Sequence, residues 1–182
     1  MLKKWRKANP KIVEGWRTVE KCAHEAVRYQ RQVVGPRGLV FDCDGEVFTI
    51  KLPSGHTLFY RNPRFRICDT GFGRQSKVLC YDGIVQETKQ WGDIDTYGGK
   101  LTENIVQAIS RDLIGYAMIK LEENGYGITM HVHDEYICEI PKDGWEQDWL
   151  REMERIMGTP PDWASDLPLN ADGYITDFYK KD

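Results

Sequence analysis

The sequence predicts an α+β fold, and three patterns in it carry that prediction. An amphipathic helical repeat runs from Asn9 toward Gly35. Short apolar or alternating runs, cut by turn residues, fill the stretch from Leu39 to about Thr88. A second helical repeat, Leu101–Leu121, leads into two short apolar runs joined around His133-Asp134-Glu135. Strands gathered into one stretch, rather than alternating with helices, argue against a βαβ architecture.

Asn9-Pro10 places a capping residue before a proline at the first helical position. Ile12, Val13, Trp16, Val19, Cys22, Ala23, Ala26 and Val27 then recur at helical spacing, and the helix is expected to end before Gly35-Pro36. The strand candidates are Leu39–Phe41, Val47–Leu52, Thr57–Tyr60, Phe65–Ile67 and Lys77–Tyr81. Asp44-Gly45, Pro53-Ser54-Gly55, Asn62-Pro63, Gly71 with Gly73, and Asp82-Gly83 separate them as turns, which predicts hairpins in an antiparallel sheet. A glycine-bearing loop is expected at Trp91–Gly99, and Asn124-Gly125 should end the long helix. Ile128–Val132 and Tyr136–Ile140 read as a strand pair, and Trp145–Met157 as a helix. The tail, with Pro160, Pro161 and Pro168, should be irregular but docked by Trp163, Leu167, Leu169 and Tyr174.

At 182 residues the chain is long enough to bury a core. No stretch approaches the roughly 20 apolar residues that a membrane span needs. The basic start, Met1 to Lys7, lacks a following apolar region and is not a signal peptide, so a cytoplasmic location is expected. The five cysteines (Cys22, Cys43, Cys68, Cys80 and Cys138) are odd in number with no CxxC pair, which predicts buried reduced thiols over a disulfide framework or zinc site. His24 and His56 show no metal spacing. The tryptophans at 5, 16, 91, 145, 149 and 163 read as packing groups. Ten Lys/Arg against three Glu up to Arg37 make a basic front suited to nucleic acid or to solvent, whereas five Lys/Arg face eleven Asp/Glu from Glu139 onward.

The chemistry concentrates in Tyr97–Ile140. A tight strand–turn–strand at Val132-His133-Asp134-Glu135 brings two carboxylates together, and adjacent anions favour a hard cation. Mg²⁺ is held by one or two carboxylates plus substrate phosphates. The segment Tyr97-Gly98-Gly99-Lys100-Leu101-Thr102-Glu103-Asn104-Ile105-Val106-Gln107-Ala108-Ile109-Ser110-Arg111-Asp112-Leu113, followed by His131-Val132-His133-Asp134-Glu135, resembles the family A (DNA polymerase I-like) DNA polymerases, their bacteriophage branch above all. Arg6 to Val13, Leu52-Pro53-Ser54-Gly55 with Tyr60, Leu167-Pro168-Leu169 and Phe178-Tyr179-Lys180 extend the likeness over nearly the whole chain.

The resemblance implies palm-type antiparallel sheet elements around the Asp134 hairpin, a long backing helix and a small β-rich subdomain. It divides the chain into 1–36 (a basic amphipathic helix joining fingers to palm), 37–90 (β-rich) and 91–182 (a palm portion with the motif C hairpin and the C-terminal tail). It implies that Asp134 is the motif C catalytic acid and a metal ligand, that Glu135 is its supporting carboxylate and fellow ligand, and that His133 lies near the primer 3′ end. Gln107 would reach the minor groove, and Lys100 joins His133 and Gln107 as a DNA contact. The implied cofactor is Mg²⁺ in a two-metal site. The family's motif A aspartate and motif B helix have no counterpart in this sequence, so the expectation is a split polymerase. An upstream polypeptide carrying motifs A and B is then the partner, with primer–template DNA and dNTP as substrates, no membrane, and host cytoplasm if the chain is phage-encoded. The isolated chain is expected to be inactive.

Two other classes compete. Gly38-Leu39-Val40-Phe41-Asp42-Cys43-Asp44-Gly45 resembles the nucleophile motif of haloacid dehalogenase-type phosphatases, with Asp42 attacking phosphorus and Asp44 as acid–base. Glu46 where Thr or Val is expected, and the strand pattern that follows, favour a hairpin turn instead. Gly71 to Lys77 is a glycine-rich basic loop without P-loop spacing, open to a phosphate contact. A non-catalytic DNA-binding accessory fragment is the third class.

Overall fold

The computed structural model describes residues 2–69 and 75–179. It is an α+β chain that divides into two compact units, Met1–Ile109 and Ser110–Asp182, with the division falling inside a helix.

The first unit opens with helices α1 (Leu2–Ala8) and α2 (Pro10–Tyr29). The break lies at Asn9, because a residue before proline is pushed out of the helical region. The Asn9 side chain makes no cap on α2; its amide donates back to the Trp5 carbonyl at 3.0 Å. Helix α2 ends before Gly35-Pro36 as expected, with its C-cap at Gln30, which takes a left-handed φ of 47° and donates its N–H to the Ala26 carbonyl. Its buried stripe is Val19, Ala23, Ala26 and Val27. The two alanines keep the stripe narrow where α2 lies on the sheet.

That sheet is a six-stranded antiparallel meander in sequence order: β1 (Val33–Val34), β2 (Val40–Cys43), β3 (Val47–Lys51), β4 (Thr57–Asp69), β5 (Gln75–Ile84) and β6 (Trp91–Thr96). Register sets Phe41 opposite Ile50, Cys43 opposite Phe48, and Phe48 opposite Tyr60. Alternate residues of these strands therefore fill one buried face with Leu52 and Leu79. Tyr60 is buried there, accepts a hydrogen bond from the Asn104 amide at 3.1 Å, and has its hydroxyl pKa pushed up to about 12 by burial.

Three turn assignments fail in this sheet. Asn62-Pro63 is not a turn: β4 runs through it with a bulge between Arg61 and Arg64. A bulge tolerates the missing proline N–H, while the Asn62 N–H is satisfied by the Glu46 carbonyl at 2.7 Å. Asp82-Gly83 lies within β5, opposite Asp93 and Gly92. The reversal comes later, where the Val85 N–H meets the Gln90 carbonyl at 2.8 Å. The expected loop at Trp91–Gly99 is instead β6 followed by the start of a helix. These strands escaped the apolar pattern because charge pairs hold their outward face. Arg64 pairs with Asp82 (2.8 Å) and with Asp93, and Arg66 pairs with Asp95 at 2.6 Å. Gly71 and Gly73 lie outside the described residues, and Gln75–Lys77 of the supposed basic loop belong to β5.

Helix α3 (Gly98–Glu123) follows, and Leu101, Ile105 and Ala108 enter the first unit's core. A Cβ at Gly98 would fall 2.0 Å from the Trp16 carbonyl oxygen, so only glycine permits this approach to α2. In the second unit α3 stops at Asn124-Gly125 as expected; Gly125 has a φ of 85°. Strands β7 (Ile128–Val132) and β8 (Glu135–Cys138) form a separate two-stranded sheet, and α4 (Glu146–Met157) completes the regular structure. The unit's core is small: Leu121, Tyr126 and Ile156, with Ile128, Tyr136, Cys138, Met153 and Met157 against them. The tail is mostly irregular and docked in part: Trp163 and Leu169 are half-buried as expected, whereas Leu167 is exposed. It meets α4 through a polar contact, the Gly173 N–H donating to Glu154 Oε1 at 2.9 Å.

The cysteines are free; Cys43 and Cys80 are buried and the other three half-buried. Packing holds for some tryptophans: Trp5 stacks on Trp16 at 5.7 Å and Trp149 meets Tyr126 edge-on at 6.0 Å. Trp91 and Trp145 are more exposed still, at 64% each against 44% for Trp5 and 37% for Trp149. No helix among the described residues is long and apolar enough to cross a membrane.

Candidate catalytic hairpin

Strands β7 and β8 meet in a two-residue turn. Val132 pairs with Glu135, leaving His133 and Asp134 between them. His133 carries a φ of +54°. A two-residue hairpin needs a positive φ in its loop to match the strand twist, and histidine is among the non-glycine residues that enter that region most readily. The turn therefore holds only one of the two carboxylates; Glu135 is the first residue of β8.

The hairpin is anchored from the other end. Tyr136 and Cys138, two residues apart, pack on the Leu121–Tyr126–Ile156 cluster. The Tyr136 hydroxyl donates to the Ile114 carbonyl. Burial pushes its pKa up to about 12, so it stays a neutral donor. The Ile128 N–H is taken by Glu122 Oε1 at 2.8 Å, and the Thr129 hydroxyl bonds the Ile137 carbonyl at 3.0 Å across a bulge. Successive strand residues alternate in face, so Glu135 projects away from the side on which Tyr136 docks.

His133, Asp134 and Glu135 are exposed. None of the three side chains forms an ion pair or hydrogen bond among the described residues. Two adjacent carboxylates are thus offered to solvent with their oxygens uncommitted. They do not make a complete cation cage: no group of three or more His, Cys, Asp or Glu that could hold a metal occurs among the described residues.

The remaining candidates lie in the first unit. Gln107 is exposed on α3 and without a hydrogen bond among the described residues, which excludes a buried, internally satisfied amide. Lys100, in the first turn of α3, is held by Glu103 Oε2 at 3.1 Å. The structure also decides the competing phosphatase motif. Val40–Cys43 runs antiparallel into Val47–Lys51, so the element that follows Asp44 is a strand and not a helix. Asp44 Oδ1 accepts the N–H groups of Glu46 (2.8 Å) and Val47 (2.7 Å), closing the turn at Gly45, whose φ is 99°. Asp42 sits mid-strand and accepts the Cys43 N–H. Neither is arranged as a nucleophile. The basic front expected from the composition includes a row of cations on α2, and the structure adds to it Lys77 of β5, which the charge count did not place there.

Over its full length the chain is 43% identical to a protein named DNA polymerase from Bacillus phage SP02, and it spans 27% of that protein. It is thus similar throughout to a part of a DNA polymerase. No family model matches the chain, and no solved structure matches it.

Proposed function

We propose that this chain is a palm portion of a family A-type DNA-directed DNA polymerase, contributing Asp134 and Glu135 to a site that adds dNTPs to a primer 3′ end. The observation that carries this reading is the unbroken similarity of the chain to part of a protein named DNA polymerase. The hairpin supports it, because Asp134 and Glu135 are exposed and uncommitted at its tip.

The donor set fits one half of a magnesium site. Carboxylate oxygens are the hard ligands Mg²⁺ takes, and the ion is ordinarily held by one or two of them plus substrate phosphates. Asp134 and Glu135 would hold it, with further acid from polymerase sequence bearing motifs A and B. When bound, such a pair of ions supplies charge stabilisation at both the attacking and the leaving oxygen of an in-line displacement. The chain's own residues do the positioning. The docked Tyr136 fixes β8, which holds Glu135 beside the turn. His133 offers a ring nitrogen next to Asp134, suited to the primer terminus. Gln107 presents an amide able to donate to the minor-groove acceptors that all base pairs share. Lys100 can exchange Glu103 for a backbone phosphate.

The test is reconstitution. This chain alone should extend no primer. Mixed with a polypeptide bearing motifs A and B, it should incorporate dNTPs, and Asp134→Ala should abolish that without dispersing the complex. Extension surviving in Asp134→Ala would exclude the catalytic role. DNA binding without any synthesis in the mixture would favour a non-catalytic accessory fragment.

A further inference from the structure

Helix α2 carries a second feature that the hairpin does not use. Arg17, Lys21, His24 and Arg28 lie at spacings of four, three and four residues, which at 100° per residue places them in one narrow stripe. From Arg17 to Arg28 the stripe spans about 16 Å at 1.5 Å per residue. These residues line an open cleft of about 420 Å³. The β4–β5 ribbon adds a further cation: Lys77 Nζ sits 4.7 Å from the centre of the Phe65 ring, and that ring meets His24 edge-on at 5.1 Å.

The cations of the stripe differ from their neighbours. Arg31, Arg64, Arg66 and Lys100 of the same unit are all neutralised by carboxylates. Arg17, Lys21, Arg28 and Lys77 form no ion pair among the described residues, although Glu20 and Glu25 border the cleft. Glu25 is itself held by Arg31. Four uncompensated cations thus face one acid that remains free to oppose them. His24 adds little positive charge: burial lowers its pKa, Glu20 opposes that, and Arg28 and Lys77 reinforce it.

We infer that the Arg17–Lys21–Arg28 stripe of α2, with Lys77, binds the phosphate backbone of duplex DNA. A row of uncompensated cations along one exposed helix face complements a regular polyanion, and contacts to phosphate alone give sequence-independent binding. The choice of DNA over other polyanions rests on the polymerase reading. The surface itself rests on the charge pattern.

The experiment uses the whole chain and a fluorescein-labelled 24-bp duplex, read by anisotropy from 50 to 200 mM salt. Arg17→Gln/Lys21→Gln/Arg28→Gln/Lys77→Gln should weaken binding by at least about tenfold at low salt. It should also flatten the slope of log K against log salt by about 3.6, or about 0.9 for each of the four lost phosphate contacts. Lys51→Gln/Lys89→Gln/Lys142→Gln/Arg151→Gln removes the same charge elsewhere and should stay within about twofold of the parent. Circular dichroism melts check that both variants remain folded, and Lys77→Gln alone, on the strand, should give a partial loss if the quadruple variant does not fold. The inference is overturned if the parent chain does not bind duplex, if stripe and control variants lose affinity equally, or if heparin and acidic polypeptides bind while DNA does not. Because this readout is binding by the chain alone, and extension is scored only in the reconstituted mixture, either result can fail without the other.

Discussion

Two hairpins in this chain put an aspartate at their turn and use it in opposite ways. At β2–β3, Asp44 folds back and accepts two backbone N–H groups of its own loop. Those bonds hold its pKa below the usual carboxylate value. The strands on either side bury Phe41, Phe48 and Ile50 completely or nearly so. At β7–β8, Asp134 bonds to nothing among the described residues, and the hairpin depends on the Tyr136 end for anchorage. The first acid stabilises a turn. The second lies in a two-residue turn closed by the pairing of Val132 with Glu135, and that turn forms without recruiting the carboxylate. An acid that its own backbone leaves alone is free for a ligand, and that difference separates the two Asp-bearing motifs of this sequence better than their composition does.

The comparison can be broken at several strengths. The largest effect expected is on activity: Asp134→Ala should reduce primer extension in the reconstituted polymerase on the order of a thousandfold, comparable to losing a group that stabilises transition-state charge, with the thermal midpoint of the chain unchanged. Next, Phe48→Ala should destabilise the first unit by about 3–5 kcal/mol, the usual cost of removing a buried phenylalanine. Hydrogen exchange should show the loss of protection in β2–β4, and protection retained there would refute the core assignment.

Asp44→Ala should act on stability, lowering the thermal midpoint by about 3 °C, as the loss of a local side-chain-to-backbone acceptor does. The sign with pH follows from its depressed folded-state pKa. Its contribution is present above the unfolded value of 3.8 and is lost as pH falls through the lower folded value. The gap between Asp44→Ala and the parent should therefore close below about pH 4; a gap constant to pH 2 would show that Asp44 acts by some other means. The smallest stability effect is expected at the other turn. Asn also enters the left-handed region, so His133→Asn should change stability by less than about 0.5 kcal/mol while cutting extension by roughly tenfold. Unchanged extension would leave His133 as a turn residue only.

Much of this was legible from the residues. The helical periodicity of α2, α3 and α4 and the paired runs around His133-Asp134-Glu135 all appear close to where they were expected. So does the turn at Asp44-Gly45, because each reports a buried face repeating at its own period. The misreadings cluster at residues 61–96. There Asn62-Pro63, Asp82-Gly83 and the glycines after Trp91 look like punctuation. The structure instead carries long strands through them, because Arg64 and Arg66 meet Asp82, Asp93 and Asp95 from different strands. Propensity is local, whereas those pairs join residues up to 29 positions apart.

The sequence by itself determined the main helices, the apolar strands with their buried faces, and the presence of an acidic tip at residues 134–135, since these follow from side-chain period and turn chemistry. Only the tertiary structure decided which carboxylates are consumed. Whether an aspartate is spent on its own turn, on an arginine across a sheet or on nothing depends on which partners the fold brings within about 3 Å. The same holds for the cations of α2. Their helical spacing is written in the chain, but that they form no ion pair among the described residues, and that Lys77 joins them from a strand about fifty residues away, is a property of the folded surface.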